Sequence, residues 1–166
     1  PLVLLDRIYH LGLDVRGIVG LVIGTRPDCV DDEKLDLLQQ LSRKSHVMIE
    51  YGIESVYNKT LQRVNRLHTF EDTKDAIIRT AERNLFVGGH LIFGLPGESR
   101  EEMLRSAGII SALPLNSIKF HQLQLFKGTA MADEYLKDPD GFQIFEMEDY
   151  LVFICEYIEH LNPRIV

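Results

Sequence analysis

At 166 residues and 45% hydrophobic content, the chain is large enough to bury a core of its own, and its formal net charge of -7 argues against a general polyanion-binding surface. It has no uninterrupted apolar run of about 18 residues and no charged segment leading into a long apolar one, which excludes a membrane-spanning helix and a recognisable secretory leader. Its two cysteines, Cys29 and Cys155, are far apart and lack metal-ligand spacing, so a reducing compartment and a cytoplasmic location are expected.

The apolar patterns alternate in type along the chain. Residues 2–11 read as a helix with Leu2, Leu5, Ile8 and Tyr9 on one face. Residues 17–24 (GIVGLVIG) read as a strand buried on both faces. Asp31 or Asp32 then caps a helix to about residue 43, with Leu35, Leu38 and Leu41 inward. Residues 47–52 form a second strand, 59–65 a short helix, and 70–84 a longer helix with Ala76, Ile77 and Ala81 inward. The third strand is 86–93, the next helix 100–112, and the fourth strand 117–126. Helices near 131–137 and 145–161 make a helical tail, in which Cys155 fills core space. Strands separated by helices imply βαβ units and a parallel sheet, so the fold class is α/β, either an open sheet or part of a barrel.

The junction GGHLIFGLPGES at 88–99 is the most informative segment. A strand that stops at Gly94 and Gly97 leaves backbone groups bare at its carboxyl end, where α/β proteins bind ligands, and glycine lets a flat ligand approach. An ordinary βα loop accounts for GLPGE equally well. Polar residues inside the strands point the same way. Glu50 and Glu54 share a face with Met48 and Gly52, and His90 shares one with Phe86, Gly88 and Ile92. Gln122 and Gln124 share a face with Ile118 and Phe120, with Lys119 and His121 on the opposite one. Each taken singly fits a satisfied core polar group; three neighbouring strands carrying them make a ligand-lined face the better reading. An ionised carboxylate at Glu54 suits a ribose diol, which offers two donors. In GTRPD, Thr25 or Arg26 suits an anion, with Asp28 holding Arg26 in place; a plain turn with a surface ion pair fits as well.

The order of the junctions carries more than any one of them. GTRPD (24–28), IEYGIES (49–55), NKTLQRVNR (58–66), HLIFGLPGES (90–99) and KFHQLQLFKGT (119–129) together resemble the radical S-adenosylmethionine (SAM) superfamily, in the branch of Fe–S oxidoreductases similar to the Elongator catalytic subunit and oxygen-independent coproporphyrinogen oxidase. The resemblance implies a partial TIM-like (β/α) barrel with about four of the six parallel strands usual there. It also implies a 4Fe–4S cluster, SAM bound at the carboxyl ends of the strands, and a 5′-deoxyadenosyl radical formed by reductive cleavage. Glu54 matches the position that meets the ribose or methionine part of the cofactor, and Arg66 an arginine that reaches the methionine carboxylate. Ile92, Gly94 and Leu95 match the segment running past the adenine, and His90 matches a position facing the barrel interior. Gln122 and Gln124 fall on the last strand, where adenine or substrate contacts are expected.

The C-x-x-x-C-x-x-C cluster loop of that family is absent, and Gly24 stands where relatives often have glutamate. With Pro1 in place of a starting methionine, the expectation is that residues 1–166 are the carboxyl-terminal part of such a barrel, with a helical tail from about 131, inactive alone, cluster ligands outside the chain, and no metal ligand within it. The first strand then becomes an apolar edge, covered by the amino-terminal helix or by a second copy in an edge-strand dimer. SAM and an unidentified substrate are the expected partners; nucleic acid is not indicated, though tRNA remains open. Two other readings stand beside this one: a non-redox α/β ligand-binding module, and a barrel hydrolase or aldolase using Glu50, Glu54 and His90 as acid and base groups.

Overall fold

In the computed structural model, which describes residues 2–166, four strands form one parallel sheet in the order β1 (Gly20–Thr25), β2 (His46–Glu54), β3 (Phe86–Phe93) and β4 (Ser117–Gln122). Helix α1 (Leu2–Leu13) precedes the sheet, and α2 (Asp32–Ser42) joins β1 to β2. Helices α3 (Asn58–Arg63) and α4 (Phe70–Glu82) join β2 to β3, and α5 (Arg100–Ser111) joins β3 to β4. Helices α6 (Ala130–Lys137) and α7 (Met147–Glu159) follow. Among the described residues no helix is long and apolar enough to cross a membrane. The α/β class and the resemblance to a partial barrel both hold.

The helix starts follow their capping residues. Asp31, not Asp32, caps α2 by accepting from the Lys34 backbone N–H. Thr69 with Asp72, and Ser99 with Glu102, close reciprocal capping boxes at α4 and α5, each satisfying two otherwise unpaired donors.

The two faces of the sheet differ. Val47, Ile49, Tyr51 and Ile53 of β2 are at most 1% exposed and pack, with Val87, Leu91 and Phe93, against the helices. The alternate residues Met48, Gly52 and Glu54 are only half-buried, as are His90 and Ile92 of β3. A helix layer covers one face and leaves the other open, which is the division a barrel wall makes between its outside and its interior. The tail joins the same core. Phe153 and Tyr157 of α7 are fully buried against Phe93, with ring centroids 4.8 Å apart in both pairs. Val166 hydrogen-bonds Asn116 and Ile118 beside β4.

Several expectations are corrected. β1 starts at Gly20, and Val22 is 59% exposed, so this strand is not buried on both faces. It lies at the sheet edge, and α1 packs beside α2 against its helix-side residues Leu21 and Ile23. Ile8 is exposed because α1 turns Leu2, Leu5, Tyr9 and Leu13 inward instead. Cys155 is exposed, since α7 buries Phe153 and Tyr157 on either side of it. β4 stops at Gln122, four residues before the predicted end.

Candidate functional site

β2 ends on an irregularity that builds the first part of the site. Gly52 pairs with His90 but Glu54 pairs with Leu91, so Ile53 is an extra residue in the ladder. Glu54 adopts φ 63°, a left-handed conformation that costs a non-glycine residue about 1–3 kcal/mol and persists where the surroundings enforce it. The turn lays the Glu54 carboxylate back over Gly52; a Cβ there would stand 2.5 Å from Glu54 Oε1. Arg66, in the loop after α3, donates through Nη2 to Glu54 Oε1 at 2.7 Å and to the Gly52 carbonyl at 3.4 Å. Its Nε is buried without a hydrogen-bond partner among the described residues. Burial pushes the Glu54 carboxyl above its ordinary value, against the opposing pull of Arg66, His90 and His121. The arginine is thus no solvated end of a helix, but half of a pair with unspent hydrogen-bonding capacity on both members.

A second cluster lies further back along the same face. Glu50 accepts from Lys119 Nζ at 2.7 Å and 2.9 Å, one contact to each oxygen, and its Oε2 stands 3.2 Å from His90 Nε2. His90 Nδ1 in turn lies 3.2 Å from His121 Nε2. Burial alone would raise the Glu50 carboxyl; the hydrogen bonds from Lys119 and His90 outweigh it and hold the group below its ordinary value. The register explains the meeting, since His90 pairs with Lys119 and Ile92 with His121 across β3 and β4.

The strand-end loops are tied together behind these groups. Ser55, just after β2, donates through Oγ to the buried Glu98 of the GLPGES turn, and the Ser55 oxygen accepts from the Tyr57 backbone N–H at 3.0 Å. Burial raises the Glu98 carboxyl. Gly94 takes φ 91°, but the space a Cβ would need is held by the Gln143 carbonyl, 2.6 Å away. Glycine here allows close approach by the chain's own tail. Leu95 is buried at 3% exposure.

Of the predicted site residues, Glu54, Arg66, His90 and Ile92 come together on the open face, while Gly94 and Leu95 are enclosed below it. Gln122 turns to the helix side and donates to the Phe145 carbonyl at 2.5 Å, so its side chain does not line the open face. Gln124 is exposed, two residues beyond the end of β4. Arg26 and Asp28 form the expected ion pair at 2.5 Å. Lys119 and His121 take the place given to the glutamines. Strand parity in KFHQ already set them on the opposite face; which face opened away from the helices was the missing fact. His68 was also missed. It is buried, neither ring nitrogen has a hydrogen-bond partner among the described residues, and burial holds its pKa below the ordinary imidazole value. With Arg66, Asn65 and Asp72 it lines a groove of 330 Å³.

The family described as the radical SAM superfamily matches residues 2–108, and the radical SAM C-terminal domain matches 115–166. Protein MJ0486 of Methanocaldococcus jannaschii is 36% identical over 98% of this chain and 50% of its own length. The archaeal Elp3 of Methanocaldococcus infernus superposes with a TM-score of 0.74 at 25% identity, over 89% of this chain and 34% of that one. The radical SAM methyltransferase TsrM of Kitasatospora setae, whose structure holds cobalamin and a [4Fe–4S] cluster, has a TM-score of 0.70 at 17% identity, over 99% of this chain and 41% of that one, and shares the fold. The chain spans about half the length of the curated relatives it matches. S-adenosylmethionine and a [4Fe–4S] cluster are the cofactors of this family. With one family match covering residues 2–108 and a relative 36% identical over 98% of this chain, the chain belongs to the radical SAM superfamily.

Proposed function

We propose that this chain forms the S-adenosylmethionine-binding wall of a radical SAM oxidoreductase whose cluster ligands lie outside residues 1–166. The observation that carries the proposal is the Glu54–Arg66 pair at the bulged end of β2. A carboxylate held at φ 63° and an arginine with a buried, unpartnered Nε are groups awaiting a ligand with both donors and an anion. S-adenosylmethionine has both, in its ribose diol and amino-acid carboxylate. Glu54 accepts from the cofactor, Arg66 binds its carboxylate, and the Ile92–Leu95 backbone bounds the adenine side. The chain is a poorer fit to the cluster, because the described residues hold no grouping of three metal-binding side chains. When bound, the cofactor pair supplies reductive cleavage of the sulfonium bond to a 5′-deoxyadenosyl radical, which takes hydrogen from the substrate.

In this reading residues 1–166 are inactive alone, and the full-length protein works in the reducing cytoplasm. The exposed edge of β1 is where further strands, or a second copy, would add. Elp3 and other tRNA-related relatives keep tRNA open as a substrate. The hydrolase or aldolase reading is weaker, since Glu50 and His90 do meet but Glu54 is taken up by Arg66. The test is anaerobic purification of the full-length protein, with iron and sulfide analysis, SAM binding by equilibrium dialysis, and 5′-deoxyadenosine formation after reduction. Cluster absorbance, binding and cleavage are expected, with binding lost in Glu54→Ala and Arg66→Ala. A protein that carries no cluster and neither binds nor cleaves S-adenosylmethionine would overturn the proposal.

A further inference from the structure

The open face holds a hydrogen-bonded chain that the Glu54–Arg66 site does not use. It runs from Lys119 and Glu50 through His90 to His121, and its direction is set by one member. An ionised carboxylate can only accept, so His90 must donate to Glu50 through Nε2–H. That leaves His90 Nδ1 as an acceptor, and it accepts from His121 Nε2–H. His121 is then left with a bare lone pair on Nδ1, for which no protein partner exists among the described residues, and its ring is exposed on the open face. Both ring nitrogens of His90 are committed to neighbours, so what this strand pair offers outward is His121.

We infer that His121 is a proton acceptor facing the bound substrate, with Glu50 and His90 as positioning residues that fix its tautomer. A substrate O–H or N–H gives its proton to His121 Nδ1. The bonding pair stays on the substrate oxygen or nitrogen, the imidazole becomes an imidazolium, and no electron moves. Glu50 acts by holding His90 in the orientation and tautomer that present His121, as carboxylates do for the imidazoles they orient. The other charged groups facing the pair are Glu54 on β2, Lys119 on β4, and Arg66 from the loop after α3. Lys119 and Arg66 are each neutralised by a glutamate, so the proton on His121 is not opposed by a free cation within the cluster. The substrate class this selects carries an ionisable or polarised O–H or N–H beside the reacting carbon. That a substrate reaches this face rests on the proposed function; the tautomer relay itself is read from the cluster's geometry, and its test is independent of cofactor binding at Glu54 and Arg66.

The experiment uses the full-length protein labelled with [15N]histidine, together with acylation by diethyl pyrocarbonate, which attacks a bare imidazole nitrogen. Both rings are expected as Nε2–H tautomers, with a nitrogen–nitrogen scalar coupling from His121 to His90 and acylation of His121 well ahead of His90. Glu50→Gln, whose amide can donate as well as accept, should mix the tautomers, lose the coupling, and slow acylation of His121 several-fold. Lys119→Met keeps the carboxylate and should preserve the tautomers. If Glu50→Gln fails to fold, His90→Phe must unlock the His121 tautomer. An Nδ1–H tautomer at His121 in the unmodified protein, or tautomers and acylation rates unchanged in whichever of Glu50→Gln and His90→Phe folds, would overturn the assignment.

Discussion

The two faces of β2 are built from the same nine residues and obey different rules. Toward the helices stand Val47, Ile49, Tyr51 and Ile53, with the Tyr51 hydroxyl satisfied by Thr80 Oγ at 2.7 Å. Toward the open side stand Met48, Glu50, Gly52 and Glu54, with two carboxylates, a bulge and a left-handed residue. The first face holds the fold together and tolerates little change of volume. The second carries cost and strain that the first must offset, which is how binding sites are commonly supported. Substitutions on the two faces should therefore separate stability from ligand binding.

The largest effect is expected on the helix side. Phe153 is fully buried between Phe93 and Phe145, and Phe153→Ala leaves a cavity that the fixed sheet cannot close. A loss of about 3–5 kcal/mol is expected in urea unfolding. Two glycine substitutions test the division more directly. At Gly89 a Cβ would meet Ile53 Cδ1 at 2.6 Å inside the core, so Gly89→Ala should cost about 1–3 kcal/mol through overpacking. At Gly52 the same methyl meets only the ends of the Arg66 and Glu54 side chains, which can swing away. Gly52→Ala should leave unfolding nearly unchanged and weaken S-adenosylmethionine binding in equilibrium dialysis. Equal destabilisation by the two would break the comparison.

The same contrast explains what could be read in the sequence. Helix-side residues were legible because period and chemistry agree there: the third strand at 86–93, the inward Leu35, Leu38 and Leu41, and the cap at Asp31 or Asp32 all emerge from local rules. The open face was legible only in part. Glu54 and Arg66 are 12 positions apart, and nothing local brings them to 2.7 Å; their pairing was readable only through the order of family-like motifs. Lys119 and His121 were visible as a face but not as the open one, because that depends on which side the helices cover. Gln122 was misplaced for the same reason. Cys155 was misjudged because an exposed apolar helix face looks, in sequence, like a buried one.

A smaller effect should come from releasing the strain itself. Glu54→Gly gives φ 63° to the one residue that adopts it freely, so stability should hold or rise by about 1 kcal/mol. The same change removes the carboxylate that faces Arg66, and binding of S-adenosylmethionine should be lost. A variant that is less stable yet still binds would show that Glu54 is a structural residue.

The smallest effect distinguishes two carboxylates by the sign of their pH dependence. The folded value of Glu50 lies below the ordinary 4.5, so its contribution to stability is present above that value and disappears as pH falls through the lower folded one. Glu98 is raised by burial, so its ionised form is a cost at neutral pH, relieved as pH falls through the raised value and fully gone below 4.5. Glu50→Gln should therefore lower stability most at neutral pH, with the difference shrinking in acid. Glu98→Gln still accepts the Ser55 hydroxyl and should equal or exceed the unmodified protein at neutral pH, by on the order of 1 kcal/mol, losing that advantage on acidification. Urea midpoints measured from neutral pH down to the carboxylate range read both curves. Parallel curves would mean that the carboxylate tying the two loops together and the one on the open face sit in equivalent environments, contrary to the division between the two sides of the sheet.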